Sequence, residues 1–198
     1  MSRGADTKRK ILESTADIFN QRGYFGASMA DIVRITGLQK GGLYNHFRSK
    51  EELALEAFDH ACGLIRDRFY AALKDKPNAA DALVAIVLVC RDYTDNPPIQ
   101  GGCPIMNAAI ESEDALPALR QRAIEAMDRW RALITRTVNR GIESGDIRST
   151  VDADNLATII ISTVEGGQLL SRLYGDRVHL VRATDSLTHY IESEVRAN

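Results

Sequence analysis

Apolar residues recur at helical spacing along almost the whole chain, and no stretch alternates apolar with polar for long enough to make a strand. Leu12, Ala16 and Phe19 fall at i, i+4 and i+7, predicting a first helix that opens at Lys8-Arg9-Lys10, after a polar stretch 1–6, and ends at Gly23. Ser28 followed by Asp31 has the form of a capping box, and Ile32 and Ile35 give the helix it starts one apolar face. Gly37 can take the positive φ that ends that helix. A second short helix follows, with Leu43 and Phe47 on an anchoring face and Lys40 and Tyr44 on another. Ser49 with Glu52 opens a long helix to about Leu73, striped by Phe58, Cys62, Ile65, Phe69 and Leu73. It would be roughly 35 Å long at 1.5 Å per residue.

The remainder continues in the same manner. Asp81 to about Asp92 is apolar nearly all round and predicts a buried helix. Asn96-Pro97-Pro98 and Gly101-Gly102 make a loop, and Cys103-Pro104 reopens a short helix with proline at its favoured first position. Leu116 to Ser144 presents Leu119, Ala123, Ala126, Trp130, Leu133 and Thr137 on one face. Asn155 to Tyr174 has a broad apolar or small face, where Gly166 and Gly167 would admit a close neighbour. Leu180, Leu187, Ile191 and Val195 stripe the last helix. The fold class is all-α, with about nine helices. Three short helices in about 47 residues make a marginal core, so a head over 1–48 should lean on the body, 49–198.

Charge divides the chain where the pattern does. The formal net charge of −2 argues against an extended nucleic-acid coat, yet residues 1–50 hold nine Lys/Arg against four Asp/Glu. The rest holds sixteen against twenty-three, so only the basic head is suited to touch a polyanion. Three cysteines (Cys62, Cys90, Cys103) at unrelated spacings indicate neither a disulfide framework nor a zinc site, and reduced thiols fit the cytoplasm. Met1 to Lys10 leads into no apolar signal core, and the longest apolar run, Leu83 to Cys90, is too short for a bilayer. A soluble, cytoplasmic protein is expected, with no membrane partner.

Two short helices across a glycine turn, the second rich in hydrogen-bonding groups, read as a helix-turn-helix that binds double-stranded DNA. Ile11-Leu12…Ala16…Phe19…Gly23-Tyr24…Ser28-Met29-Ala30-Asp31-Ile32…Gly37-Leu38…Lys40-Gly41-Gly42-Leu43-Tyr44-Asn45-His46-Phe47-Arg48-Ser49-Lys50-Glu51-Glu52-Leu53 resembles the head of the tetracycline-repressor (TetR) family of bacterial transcriptional regulators. Ser28, Thr36 and Gln39 stand where that family often has Thr, Ala and Ser. Carried over by position, the resemblance implies DNA contacts at Ser28, Met29, Lys40, Gly41, Gly42, Tyr44, Asn45, His46 and Lys50. Gln39, which opens the recognition element with Lys40, bears on which operator is read. The chemistry agrees: Lys40 can reach guanine edges or a phosphate, Asn45 can pair with adenine, and Tyr44, His46 and Lys50 suit phosphate oxygens.

The body offers candidates for an input. Cys103 precedes a helix-first proline, where exposed N–H groups lower a thiol's pKa; the resemblance allows a response to electrophiles, and a small core residue is the plainer alternative. Trp130 lies on the same face as Ala123 and Ala126, which either pack it as core or leave room for a ligand beneath the indole. Phe69, Met106 and Asn107 are further candidates for that effector pocket, and Gly102-Cys103-Pro104…Asn107…Glu111 looks like one family subgroup. Glu165 is expected to be solvated. The last two helices, about 155–174 and 180–196, suit a four-helix homodimer interface. No catalytic constellation, metal site or cofactor motif is indicated: His189 and Glu192 have no second pair, and His60 and Cys62 point apart. The expected protein is a ligand-responsive regulator, most simply a repressor on a palindromic operator, and not an enzyme. An architectural DNA binder without effector is the alternative, against which the large acidic body argues.

Overall fold

A computed structural model describes residues 3–93, 95–112 and 116–197, and the described residues form nine α-helices and no strand. They are α1 (Arg3–Gly26), α2 (Met29–Thr36), α3 (Lys40–Tyr44), α4 (Lys50–Leu73), α5 (Ala79–Asp92), α6 (Pro104–Glu111), α7 (Pro117–Ser144), α8 (Ala153–Tyr174) and α9 (Val178–Tyr190), with a π-helical turn over Ile191–Val195. None is long and apolar enough to cross a membrane. The expected all-α fold is the observed one. The chain packs as two units, Met1–Ile65 with Pro98–Glu125, and Arg66–Pro97 with Ala126–Asn198. α4 and α7 supply residues to both. Packing therefore groups the expected head with the first two-thirds of α4, the 98–103 loop, α6 and the start of α7.

In the first unit, Ile11, Ile32, Leu43, Phe47 and Leu53 form one core, with Leu12, Phe19, Met29, Val33 and Leu38 packed against it. Residues of α1, α2, α3 with the turn after it, and α4 meet there, so the three head helices share their core with the start of α4. Ala16, Ala57, Ala61 and Ile99 make a second cluster that seats the loop before α6 on α1 and α4. α1 starts earlier than its polar first residues suggest, at Arg3, and its helical path breaks at Gly23, where φ is 72°.

In the second unit α9 packs against both α8 and α5. Leu83, Ile86 and Val87 on α5 are fully buried, though Leu88 is exposed, so α5 is not buried on every apolar side as its sequence predicts. α7 buries Trp130, Ile134 and Val138 rather than Leu133 and Thr137, so its stripe advances by fours after Trp130. α8 lies against α9 through Gly167, where a Cβ would stand 2.8 Å from the Ala183 Cβ and 3.2 Å from the Leu180 Cα. A Cβ at Gly166 would meet nothing within 4 Å, so only one of the paired glycines serves this contact. Glu165 is buried at 7% exposure, against the expectation of a solvated position, because it follows Ile161 by one turn on α8's inner face. The tail closes on the α7–α8 connection: Arg148 N–H donates to the Val195 carbonyl and Ala197 N–H to the Asp146 carbonyl. Arg196 ties the same region to α5 by donating to Asp81 Oδ1 at 2.6 Å.

Candidate nucleic-acid interface

α2 begins with the capping box its sequence predicts. Ser28 Oγ accepts from Asp31 N–H at 3.1 Å, and Asp31 Oδ2 accepts from Ser28 N–H at 3.2 Å. The Ser28 hydroxyl also donates to Asp31 at 2.6 Å, and Arg34 and Arg22 approach the other oxygen at 2.8 and 3.2 Å. Hydrogen bonds from the Ser28 hydroxyl and then from Arg34 hold the Asp31 carboxyl down to about 2. Gly37, at φ 67°, closes α2 and turns the chain into α3. Gln39 is the N-cap of α3 through its backbone alone, so its side chain has no capping duty.

α3 then divides its faces. Leu43 and Phe47 are buried in the first core. Gln39, Lys40, Gly41, Tyr44 and Asn45 are exposed, with Gly42 and His46 half-buried beside them. Tyr44 leaves half its surface in solvent although it carries a large apolar ring. A Cβ at Gly41 would meet nothing within 4 Å, so the chain's own packing does not demand glycine there. Lys8 stands 5.1 Å from the Phe47 ring and pairs with Glu56 at 2.8 Å, joining α1 to α4 around the base of α3.

Three of the expected contact residues have structural duties as well. Ser28 caps α2, and Met29 packs on the core. Lys50, at the start of α4, donates to the Tyr24 carbonyl at 2.5 Å and lies 4.3 Å over the Tyr24 ring. Burial pushes its ammonium below the ordinary lysine value, and the Glu111 charge opposes that shift. The helix start itself departs from a simple capping box. Ser49 Oγ accepts from Glu52 N–H at 3.0 Å, but the Glu52 carboxylate reaches back one residue further, to Arg48 N–H at 2.5 Å.

The expected pocket residues fall into the two units. In the second, the Phe69 and Trp130 rings lie 5.9 Å apart, tilted by 30°. The Trp130 indole N–H is buried without a hydrogen-bond acceptor among the described residues. Cys103, Met106 and Asn107 belong to the first unit. Cys103 is the buried N-cap of α6, and its side chain makes no capping bond. Asn107 is a strut: its amide donates to the Asn20 carbonyl and side-chain oxygen, both at 3.0 Å, and to the Gly101 carbonyl at 2.9 Å. Asn20 in turn donates to the Gln100 and Gly102 carbonyls at 2.7 and 2.9 Å. A cavity of about 40 Å³ beside this network is lined by Asn20, Tyr24, Ala57, Asn107, Ala108 and Glu111, among others. That is room for a water or a methyl group, not for a drug-sized ligand. Asn20 and Glu111 were given no role by the sequence: the motif running from Gly102 to Glu111 included Glu111, and no signal pointed to Asn20.

A capped helix, a left-handed glycine turn and a second helix that buries one face while exposing polar groups on the other define a helix-turn-helix DNA-binding protein. Residues 11–57 match the family described as "Bacterial regulatory proteins, tetR family", and residues 79–187 match "Tetracyclin repressor-like, C-terminal domain". The chain belongs to the TetR family of transcriptional regulators. A TetR transcriptional regulator from Chloroflexus aurantiacus J-10-fl superimposes with a TM-score of 0.96 at 43% identity, covering 100% of both chains. The uncharacterized HTH-type transcriptional regulator YxaF of Bacillus subtilis (strain 168) is 27% identical over 94% of this chain and 95% of its own. The HTH-type transcriptional repressor DhaR of Mycobacterium sp. (strain GP1) is 26% identical over 86% of this chain and 84% of its own.

Proposed function

We propose that this regulator is a homodimeric, ligand-responsive repressor that binds a palindromic operator through Gln39, Lys40, Tyr44 and Asn45. The observation that carries the reading is the exposed face of α3, whose polar and aromatic side chains have no duty inside the chain while Leu43 and Phe47 anchor its other side. Lys40 and Asn45 read base edges, Tyr44 and His46 hold phosphates, and Gly41 and Gly42 let the duplex approach. Lys50 spends one donor on Tyr24 and keeps two for a phosphate. Ser28 and Met29 bring the α2 N-terminus to the backbone. The mycobacterial relative that is named a repressor supports that direction of control.

Dimerisation runs through α8 and α9. Leu169, Leu170, Leu173 and Tyr174 are exposed at adjoining positions of α8's last turns, an apolar patch that a second copy would cover. Two heads then meet successive major grooves, about 34–36 Å apart. Effector enters the second unit beside Trp130 and Phe69, where it supplies the acceptor that the buried indole N–H lacks. Thiol modification of Cys103 at the head of α6 is a second input. Either must favour one head spacing over another for release to follow. Selection of duplexes from a randomised pool tests the reading: enrichment of a palindrome whose half-sites are one helical turn apart supports it. Enrichment of no sequence, or of an unrepeated half-site by a monomer, overturns it.

A further inference from the structure

The turn that aims α2 is held from outside the helix-turn-helix. Glu111, the last residue of α6, accepts from Tyr24 N–H at 2.8 Å and from Phe25 N–H at 3.0 Å, one carboxylate oxygen to each. These two donors follow Gly23, where the α1 path breaks at φ 72°. A Cβ at Gly23 would stand 2.3 Å from the Glu111 oxygen, so glycine is needed both for the conformation and for the carboxylate's approach. On the other side of the turn the Tyr24 carbonyl and ring hold Lys50, at the start of α4. One residue, Tyr24, is thus gripped by α6 through its N–H and by α4 through its carbonyl. The base of α6 is itself fixed to α1 by Asn107 and Asn20.

We propose that Glu111 is a positioning residue for DNA binding: its carboxylate fixes the Gly23–Phe25 turn and thereby the stance of α2 and of Lys50 toward the duplex. This rests on the DNA-binding reading above. Two charge-assisted bonds to consecutive N–H groups set a backbone path more firmly than side-chain packing on a surface turn would. Through them DNA affinity becomes sensitive to where α6 stands. Simple electrostatics points the other way, since an acid beside a polyanion site weakens binding and its removal should tighten it. The sign of the effect therefore separates positioning from charge.

The test measures affinity by fluorescence anisotropy for a duplex selected by the wild-type protein from a randomised pool, well below the melting midpoint. Glu111→Ala is expected to weaken binding tenfold or more with an unchanged salt slope. Glu111→Gln, which keeps one acceptor, should fall between it and wild type. Gly23→Ala should cost more in wild type than in the Glu111→Ala background, where only the positive φ still opposes it. Melting curves confirm folding; should Glu111→Ala not fold, the isosteric Glu111→Gln decides. Affinity equal to or tighter than wild type in Glu111→Gln overturns the proposal. A wild-type protein that enriches no duplex sinks the DNA-binding reading and this one together, whereas a normal wild type with indifferent variants sinks this one alone.

Discussion

Adjacent glycines on α8 should respond in opposite directions to the same methyl group. Gly167→Ala places a Cβ 2.8 Å from Ala183 Cβ, 3.2 Å from Leu180 Cα and 3.3 Å from Leu180 Cδ1. Neither the short alanine side chain nor the backbone can yield alone, so α9 must shift as a body. Overpacking of this kind costs about 1–3 kcal/mol. Gly166→Ala meets nothing within 4 Å. Both variants gain the same helix propensity, about 1 kcal/mol, so that contribution cancels when the two are compared. The difference between them is then the overpacking cost itself. In a protein of this size 1 kcal/mol moves the melting midpoint by about 2–4 °C, so Gly167→Ala should melt roughly 2–12 °C below Gly166→Ala. The assay is thermal unfolding of both variants at one protein concentration, because the proposed dimerisation would make the midpoint depend on concentration. A Gly167→Ala protein that melts at or above Gly166→Ala would refute the claim that Gly167, and not Gly166, lies at the α8–α9 contact.

Other expectations follow from single groups. Tyr44→Ala removes an exposed ring from α3, and should weaken binding to selected and unrelated duplexes alike with no change in melting; unchanged operator affinity would remove Tyr44 from the interface. Leu173→Glu puts a charge into the exposed apolar patch on α8 and should yield monomers by light scattering, with operator affinity lost in parallel. Asp31 titrates about 2 in the folded protein, below the ordinary carboxylate value. Its contribution to stability is therefore complete above about pH 4 and is lost as the pH falls toward 2. Asp31→Asn should flatten the stability profile across that window, as read by denaturant titration at each pH.

Much of the architecture was legible because helices bury one face at a fixed period, and the glycine, serine and proline punctuation marked their ends. The head was clearest: Ser28, Asp31, Gly37, Leu43 and Phe47 each do locally what their residue type suggests. Where two neighbours could both face inward, the pattern could not choose. Leu133 and Ile134 lie one turn beyond Trp130, and only the packing around α7 decides that Ile134 is buried. Glu165 was misjudged for a related reason. Its helical position places it inside, yet the general preference of glutamate for water argued otherwise. The bonds that tie α6 to α1 were beyond reach, since Asn20 and Asn107 are 87 positions apart and no local rule pairs them. The candidate interface was readable from the sequence as a list of residues. Their separate duties were not.

Those duties divide the ten candidate contacts into two groups. Gln39, Lys40, Gly41, Tyr44 and Asn45 are exposed and do no visible work for the fold, so nothing inside the chain explains their chemistry. Ser28, Met29 and Lys50 cap α2, fill the core and grip the α1–α2 turn, so each has a reason to be present even in a protein that met no DNA. Gly42 and His46 lie half-buried between the groups. On the proposed reading, contacts to base edges come from the first group alone. On the same reading a change in the second group disturbs the stance of α2 as well as any backbone contact, and it should lower stability and affinity together. Glu111 belongs with the second group although it lies far outside the helix-turn-helix in sequence. It acts on the same turn as Lys50, from the opposite side. On the proposed reading α3 supplies the reading surface, and residues of α1, α4 and α6 that need touch no base set its aim.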